Sequence, residues 1–337
     1  MAYKKIKTDE EDKIAVDKEK KEEIKDVSDL PGVGERIGEK LKKAGYIDLM
    51  CIAAASPKEL GDCANVGEIT ATKIINVARE TLDIGFEKAT KVYERRLKIK
   101  KITSGSKNLN SLLGGGFETQ AVTEFHGAFG SGKTQIGFQL AINAQLAEEQ
   151  GGIEGNCIFL DAEGTFRPGR IKQMAETIGL DPKKVLENIY VARCYNSDHQ
   201  MVLAEKVGEM IKEKNVKLVV VDSVTSNFRA DFTGRGELAM RQQKLNRHLH
   251  TLQRLADVYN VAVYITNQVM SRPDILFGDP TRPIGGHILG HFSTHRLYVR
   301  KSKGNTRIAR MIDSPNLPEG ETVFLITPEG IRDPEEK

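Results

Sequence analysis

A glycine-rich octapeptide near the middle of the chain fits the pattern G-x-x-x-x-G-K-[ST] of a phosphate-binding loop. Its residues are Gly127, Ala128, Phe129, Gly130, Ser131, Gly132, Lys133 and Thr134. The alternating segment before it predicts a strand, and apolar residues at helical spacing after it predict a helix. A strand, such a loop and a helix N-terminus together present amide donors and a helix dipole to phosphate. The octapeptide therefore predicts nucleotide binding rather than an incidental surface turn.

Two residues of this loop and one distant carboxylate predict the details of the nucleotide site. We expect Lys133 to reach the β- and γ-phosphates and the Thr134 hydroxyl to bind Mg²⁺. Downstream, the apolar run 218–221 ends in Asp222. A buried strand with a carboxylate at its end usually forms the second part of such a site, so Asp222 is expected to hold Mg²⁺ through a bound water. ATP and Mg²⁺ are the predicted cofactors, and the sequence does not decide whether K⁺ is a further one.

The pattern of strands and helices from residue 102 to the end predicts an α/β core. Near-continuous apolar runs such as 218–221 are typical of buried parallel strands. Strands are predicted at 121–125, 157–161, 188–192, 218–222, 261–267 and 296–300. Helical patterns separate most of these strands, which predicts a mainly parallel twisted sheet with βα alternation up to the C-terminus.

Polar residues at the ends of two predicted strands are candidates for catalysis. Glu163 follows the strand 157–161 and is the candidate general base for an attacking water. For Asp161, which ends that strand, turn chemistry before Gly164 is the favoured interpretation. Gln268 follows the strand 261–267, and its neutral amide is a candidate sensor of the γ-phosphate.

Two segments that contain arginine and glycine follow predicted strands, at 227–236 and 269–286, and the second also contains three prolines. Long loops inside a domain are usually functional. Two basic loops suit the backbone of a nucleic acid better than they suit a small substrate. The candidate DNA contacts are Arg229, Arg235, Arg272, Gly285 and Gly286.

The N-terminal part predicts a tail and a small helical domain. Residues 1–25 contain eight Lys and eight acidic residues, and a segment so poor in apolar residues predicts disorder. Residues 26–82 predict an all-α domain, in which Gly32 and Gly34 belong to a helix-hairpin-helix unit that brings backbone amides to a phosphodiester. An ordinary turn between helices is the alternative. In a weaker second hairpin Asn65 replaces the first glycine, so a purely structural role stays open there.

The linker 83–101 carries a basic stretch and an isolated aromatic residue, Phe86. Such a residue either packs on its own domain or anchors an interaction. The net charge of the whole chain is only +3, so affinity for nucleic acid has to come from local clusters. The four cysteines form no C-x-x-C pair, and no apolar run approaches the roughly eighteen residues of a membrane span. These features predict a soluble cytoplasmic protein with no membrane partner.

The chain resembles the archaeal RadA recombinases, which belong to the RecA/Rad strand-exchange ATPases. The resemblance extends from residue 27 to about residue 331 in the order of the family. Its matching runs are 30–34, 127–134, 161–168, 233–238, 266–269, 283–287 and 313–315. Gly169, which stands where an acidic residue is usual, and Asn65 depart from the family pattern.

The resemblance implies a RecA-like ATPase core at 102–337 with Glu163, Lys133 and Gln268 as its catalytic residues. Phe86 and Ala89 match the F-x-x-A motif by which one subunit docks on the next. Further roles implied by the resemblance are adenine stacking by Arg170, DNA binding by Arg241, and a cap over a neighbour's ATP formed by Asp313, Ser314 and Pro315.

The function implied by the resemblance is ATP-dependent DNA recombination. The family forms helical filaments on single-stranded DNA and pairs it with homologous double-stranded DNA in the repair of double-strand breaks, which implies a nucleoid-associated protein. A RecA-core DNA motor such as a ring helicase is one alternative, against which the hairpin domain and the F-x-x-A linker argue. A regulatory recombinase paralogue with little ATPase activity is the other, against which Glu163, Lys133 and Gln268 argue.

Overall fold

The computed structural model describes residues 26–335 of the chain, apart from residues 45, 47 and 272–280. The tail predicted for residues 1–25 and the candidate DNA contact Arg272 lie outside the described residues. The chain divides into two compact units, with the division between Glu94 and Arg95.

The first unit is a group of short helices around a small apolar core. A 3₁₀ turn at Val27–Asp29 precedes α1 (Glu35–Lys43), α2 (Leu49–Ala53), α3 (Pro57–Ala64) and α4 (Glu68–Thr81). The side chain of Ser56 accepts the Glu59 N–H at the start of α3, and Pro57 occupies the first helical position, where no backbone donor is needed. Leu41, Ile52, Leu60 and Ile74 are fully buried. α5 (Ala89–Arg96) crosses the division between the units.

The two glycine hairpins of the first unit have the same backbone conformation at their first turn residue. Gly32 has φ +87° and Asn65 has φ +55°, a left-handed region that asparagine tolerates better than most residues do. Gly34 and Gly67 then precede α1 and α4 as their N-caps. Asn65 therefore keeps the turn that its departure from the family pattern had placed in question.

The second unit contains a nine-stranded sheet with the order β13-β12-β11-β10-β3-β7-β6-β4-β5. Its strands are β3 (Ala121–His126), β4 (Asn156–Asp161), β5 (Ile189–Arg193), β6 (Val216–Asp222), β7 (Ala262–Asn267), β10 (His295–Lys301), β11 (Thr306–Asp313), β12 (Glu321–Thr327) and β13 (Gly330–Arg332). The unit also contains two short antiparallel pairs, β1 (Lys101–Ile102) with β2 (Phe117–Glu118), and β8 (Val269–Ser271) with β9 (Thr281–Pro283).

The six predicted strands are present and pair in parallel from β10 to β5, so the predicted α/β class with a mainly parallel sheet is confirmed. The expectation of βα alternation to the end of the chain is wrong. After β10 the chain continues as an antiparallel meander of β11, β12 and β13. Antiparallel strands can follow one another through short turns, so no helix intervenes.

Helices cover both faces of the sheet because successive strand residues point to opposite sides. Val220 and Tyr264 share one apolar cluster with Ile136 on one face, whereas Val219 and Val263 share another with Leu249 on the opposite face. The helices of this unit are α6 (Lys107–Leu112), α7 (Lys133–Asn143), α8 (Pro168–Thr177), α9 (Pro182–Glu187), α10 (Ser197–Glu213), α11 (Ser226–Asp231), α12 (Leu238–Tyr259) and α13 (Gly286–Gly290). Among the residues that the structure describes, no helix has the length and apolarity to cross a membrane.

Candidate active site

The glycine-rich octapeptide joins the end of β3 to the start of α7, as the sequence predicts. β3 ends at His126, and α7 begins at Lys133 with Gly132 as its N-cap. Gly127 packs so closely on β10 that a Cβ atom added there would lie 2.1 Å from the Val299 carbonyl oxygen. Only glycine fits that approach. The loop therefore places backbone amides at the positive end of a helix, which is the arrangement that binds phosphate.

The Lys133 amine is buried inside this loop. Its Nζ donates to the carbonyl oxygens of Gly127 at 2.8 Å and Ala128 at 3.1 Å. Burial lowers the pKa of Lys133, while the nearby carboxylates of Asp222 and Glu163 act in the opposite direction. A buried cation held by two carbonyl oxygens of a loop is suited to exchange these acceptors for phosphate oxygens.

Asp222 lies beside the first turn of α7, as expected for a magnesium site. The Thr134 hydroxyl donates to the Asp222 carboxylate at 2.6 Å. Burial raises the pKa of Asp222, which is 2% exposed. Thr134 and Asp222 supply an adjacent hydroxyl and carboxylate, the oxygen ligands that Mg²⁺ prefers. The donor set therefore fits Mg²⁺ together with a nucleotide phosphate.

Two further threonines that the sequence analysis missed also contact Asp222. Thr165 donates to its carboxylate at 3.2 Å, and Thr266 donates to its other oxygen. Each lies just past or at the end of a strand next to β6, so their position at the carboxyl edge of the sheet was the available signal. Together with Thr134 they fix the orientation of the carboxylate.

Glu163 and Gln268, predicted to follow separate strands, are in direct contact. The Gln268 amide donates to a carboxylate oxygen of Glu163 at 2.7 Å. Asp161 instead accepts the backbone N–H groups of Gly164 at 2.7 Å and Thr165 at 3.0 Å, so the turn role favoured for it is confirmed. Of these two acids, Glu163 is the one whose side chain faces the γ-phosphate sensor candidate.

Arg170 lies on α8, and its guanidinium is fixed by neighbouring acceptors. It donates to Gln135 at 2.8 Å and to the carbonyl oxygens of Thr327 and Pro328, each at 2.6 Å. Burial lowers its pKa, and Glu329 opposes that shift. These bonds join α8 to the turn between β12 and β13 and hold the flat guanidinium in one orientation.

Two residues of the expected ATP cap, Asp313 and Ser314, contact or pair with residues that are level with the middle of β3. Asp313 ends β11 and pairs in register with Arg296. The Ser314 hydroxyl lies 3.0 Å from Nδ1 of His295. His295 and Arg296 are level with Thr123 and Glu124 of β3, before the end of the strand that leads into the loop.

A single cavity of ≈ 990 Å³ is lined by four of the candidate DNA contacts: Arg229, Arg241, Gly285 and Gly286. Asp313 lines it as well. Four further arginines line the cavity that were not predicted from the sequence: Arg282, Arg296, Arg300 and Arg310. Basic residues that alternate with apolar ones along β10 and β11 were the signal for the last three. The segment 227–236, expected to be a loop, is partly helical, since α11 extends to Asp231 and Arg235 begins a 3₁₀ turn at Arg235–Glu237 before α12.

The candidate self-association residues belong to an exposed segment. The Phe86 side chain is fully exposed, at 112% of its reference area, and Ala89 at the start of α5 is exposed too. The interpretation that Phe86 packs on its own domain is therefore wrong. In the first unit, Gly32 and Gly34 are exposed at the hairpin, and an added Cβ atom would meet nothing within 4 Å.

Comparison with known proteins agrees with this geometry. The Rad51 family profile matches residues 95–334, and the profile of the SAM-like helix-hairpin-helix tandem matches residues 24–80. A relative from Aeropyrum pernix, named DNA repair and recombination protein RadA, is 58% identical over 94% of this chain and 99% of its own length. A protein of the same name from Metallosphaera sedula is 54% identical over 94% of this chain and 98% of its own length. The chain belongs to the Rad51 family.

Proposed function

We propose that this protein is an ATP-dependent DNA recombinase. It forms helical filaments on single-stranded DNA, pairs that strand with homologous double-stranded DNA and exchanges strands during double-strand break repair. The observation that carries the proposal is the 2.7 Å bond between Gln268 and Glu163, which joins the candidate catalytic base to the root of a candidate DNA loop. The names of the relatives from Aeropyrum pernix and Metallosphaera sedula support the same function.

The proposed cofactors are ATP and Mg²⁺. Amides of residues 127–134 and the Lys133 amine bind the phosphates, and Thr134 with Asp222 holds the metal, Asp222 through a water. Arg170 offers its fixed guanidinium plane to the adenine. When bound, ATP supplies the phosphoanhydride bond that hydrolysis breaks. Comparing ATP turnover in K⁺ and in Na⁺ decides whether K⁺ is a further cofactor.

In the proposed mechanism Glu163 orients a water molecule and accepts its proton. The carboxylate is already held in place by the Gln268 amide. A side-chain amide that bonds either to Glu163 or to a phosphate oxygen has two discrete arrangements. The second arrangement displaces the start of the segment 269–286, and hydrolysis allows the first to return. DNA affinity thereby depends on the nucleotide.

The proposed DNA contacts lie in both units. Arg229, Arg235, Arg241, Arg272, Gly285 and Gly286 bind single-stranded DNA. The arginines of the ≈ 990 Å³ cavity provide positive charge suited to phosphates. Gly32 and Gly34 leave room for a phosphodiester at the exposed hairpin, and we assign them to double-stranded DNA. The protein acts in the cytoplasm at the nucleoid.

The proposed assembly is a helical filament of identical subunits. Phe86, exposed in this chain, enters an apolar site on the next subunit, with Ala89 beside it. Asp313, Ser314 and Pro315 cover the ATP of a neighbour, so each site is completed between two subunits. Such a head-to-tail contact does not close on itself and therefore generates a filament.

The test combines electron microscopy with a strand-exchange assay. With ATP, Mg²⁺ and single-stranded DNA the protein should form helical filaments and transfer a homologous strand from duplex DNA. Closed rings with unwinding activity would instead identify a DNA motor. DNA binding without strand exchange or appreciable ATP turnover would identify a regulatory paralogue. Heterologous duplex DNA is the matched control, since it should bind without exchange.

A further inference from the structure

Asn267 occupies a fully buried position between three functional segments. It is the last residue of β7 and precedes Gln268, the candidate phosphate sensor. Its side chain is 0% exposed. A buried side-chain amide has two donors and an oxygen acceptor to satisfy, and leaving any of them unpaired is costly.

The side chain of Asn267 bonds to three different elements. Its Oδ1 accepts the Thr225 hydroxyl at 2.8 Å, and Thr225 is the N-cap of α11, the helix that carries Arg229. Its Nδ2 donates to the Ile284 carbonyl oxygen at 2.7 Å, where the segment 269–286 returns to the core. The same nitrogen donates to Glu124 on β3 at 2.9 Å.

The backbone around Asn267 strengthens these connections. Its carbonyl oxygen accepts the N–H of Gly127, the first residue of the phosphate-binding loop, at 3.3 Å. The Ile284 N–H donates to the Gln268 carbonyl oxygen at 3.0 Å. Both polar backbone groups of Ile284 are therefore bonded to the dipeptide 267–268. Movement of that dipeptide has to move the root of the second loop with it.

Glu124 is a firmly held partner of the Asn267 side chain. Its carboxylate is 0% exposed and accepts the Arg296 guanidinium at 2.7 Å and the Ser293 hydroxyl at 3.3 Å. Burial raises the pKa of Glu124, and Arg296 counteracts that shift. Three side-chain donors, from Asn267, Ser293 and Arg296, hold the Glu124 carboxylate. A buried carboxylate bonded in this way is restricted in its movement, so it gives Asn267 a fixed contact on β3.

We propose that Asn267 is a positioning residue that joins the roots of the two candidate DNA loops to each other and to the phosphate-binding loop. Through it both loops change together when the nucleotide changes. The inference rests on the proposed function, because it concerns how ATP controls DNA affinity. It adds the mutual coupling of the two loops, with Thr225 as the connection to the first and Ile284 as the connection to the second.

The measured quantity is the coupling ratio, defined as the affinity for oligo-dT with a non-hydrolysable ATP analogue divided by the affinity without nucleotide. Asn267→Ala removes all three side-chain bonds. Thr225→Val replaces one hydroxyl by a methyl group of the same shape and removes only the connection to the first loop. Ser293→Ala is the matched control, because it removes a hydroxyl donor from Glu124 but touches neither loop.

We expect both Asn267→Ala and Thr225→Val to lower the coupling ratio, by roughly tenfold for Asn267→Ala. Nucleotide affinity of Thr225→Val without DNA should stay at the wild-type value. A general loss of structure would lower both the nucleotide affinity and the coupling ratio. Ser293→Ala should keep the full ratio. Since Thr225→Val is nearly isosteric, it tests the inference even where Asn267→Ala does not fold.

Two outcomes would overturn the inference. One is a wild-type ratio in a folded Asn267→Ala or in Thr225→Val. The other is an equal fall in all three variants, which would indicate only a loss of core stability. Failure of the proposed function is distinguishable, since the wild-type protein itself would then bind DNA equally well with and without the nucleotide.

Discussion

The Gln268 side-chain amide donates to the carboxylate of Glu163 at 2.7 Å, although the two residues follow different strands and are far apart in sequence. One oxygen of the candidate base is thus already occupied by the candidate sensor. A phosphate that attracts the amide would free this oxygen for a water.

Glu163→Gln should lower the rate of ATP hydrolysis by roughly 10²–10⁴-fold, because an amide does not accept the proton of water. Nucleotide affinity should change little, since the substitution is nearly isosteric and Glu163 is not a proposed metal ligand. Filaments on DNA should therefore last longer than those of the wild type. Turnover, nucleotide affinity and filament lifetime are measured on one preparation.

Glu176→Gln, on an exposed part of α8, is the matched control and should hydrolyse ATP normally. Wild-type turnover in Glu163→Gln would remove Glu163 from the mechanism. Loss of ATP binding in that variant would make the residue part of the metal or phosphate site.

Phe86→Glu should prevent assembly of the protein into filaments in the presence of ATP. A charge forced into an apolar site costs several kcal/mol at an interface, because it loses its hydration without gaining a partner. Ile69→Glu is the control, since Ile69 is also a largely exposed apolar residue of the same unit. Light scattering without DNA compares the two, and undiminished assembly of Phe86→Glu would contradict a docking role.

Arg235→Ala should weaken binding of single-stranded DNA and leave ATP binding intact. If Arg235 neutralises one phosphate, the slope of log K against log salt should fall in magnitude by about 0.7. Fluorescence anisotropy over a range of salt concentrations measures this slope. Arg247→Ala, which breaks a surface ion pair with Glu205 on α10, should leave it unchanged. The same slope in Arg235→Ala and the wild type would exclude a phosphate contact.

His248 should make the protein less stable in acid. It is 1% exposed on α12, and burial lowers its pKa to about 4, whereas an unfolded histidine titrates near 6.5. Between these values the unfolded chain binds one proton more than the folded chain. The free energy of unfolding should therefore fall with falling pH by about 1.4 kcal/mol per unit from this residue alone. The loss is complete once the pH is below the folded pKa.

His248→Gln, which keeps an acceptor for Gln200, should remove this one-proton contribution to the pH dependence. Urea unfolding at pH 7, 6 and 5, followed by circular dichroism, measures the difference between the two proteins. Parallel curves for variant and wild type would show that His248 does not titrate on unfolding.

The sequence predicted the parallel part of the sheet well because buried parallel strands are continuous apolar runs. Leu218 to Val221 is such a run, and its pattern has few other interpretations. The meander β11–β13 escaped prediction for the opposite reason. Its strands have one half-exposed face and contain basic and acidic residues, as at Arg310 and Glu321. Their apolar residues therefore show neither the two-residue repeat of a strand nor the 3.6-residue repeat of a helix clearly.

Some residues of the candidate site were likewise predictable from the sequence and others were not. Lys133 and Thr134 were predicted from a short motif with a fixed spacing, and Asp222 from its place at the end of a continuous apolar run. Thr165 and Thr266 were not, because a threonine at a strand end has many ordinary roles and only the register of three strands brings these two to one carboxylate. Long-range register is a property of the folded sheet rather than of a local pattern.

The position of β3 in the sheet affects the order in which the chain can fold during its synthesis. β3 pairs with β7, where Ala121 faces Ala262, and with β10, where Thr123 faces His295. During synthesis β3, which leads into the phosphate-binding loop, therefore cannot pair with β7 or β10 until most of the chain has left the ribosome. The helical N-terminal unit, whose contacts are local, can fold long before. On this order the hairpin module folds early, and the candidate nucleotide site forms only after β10 has been synthesised.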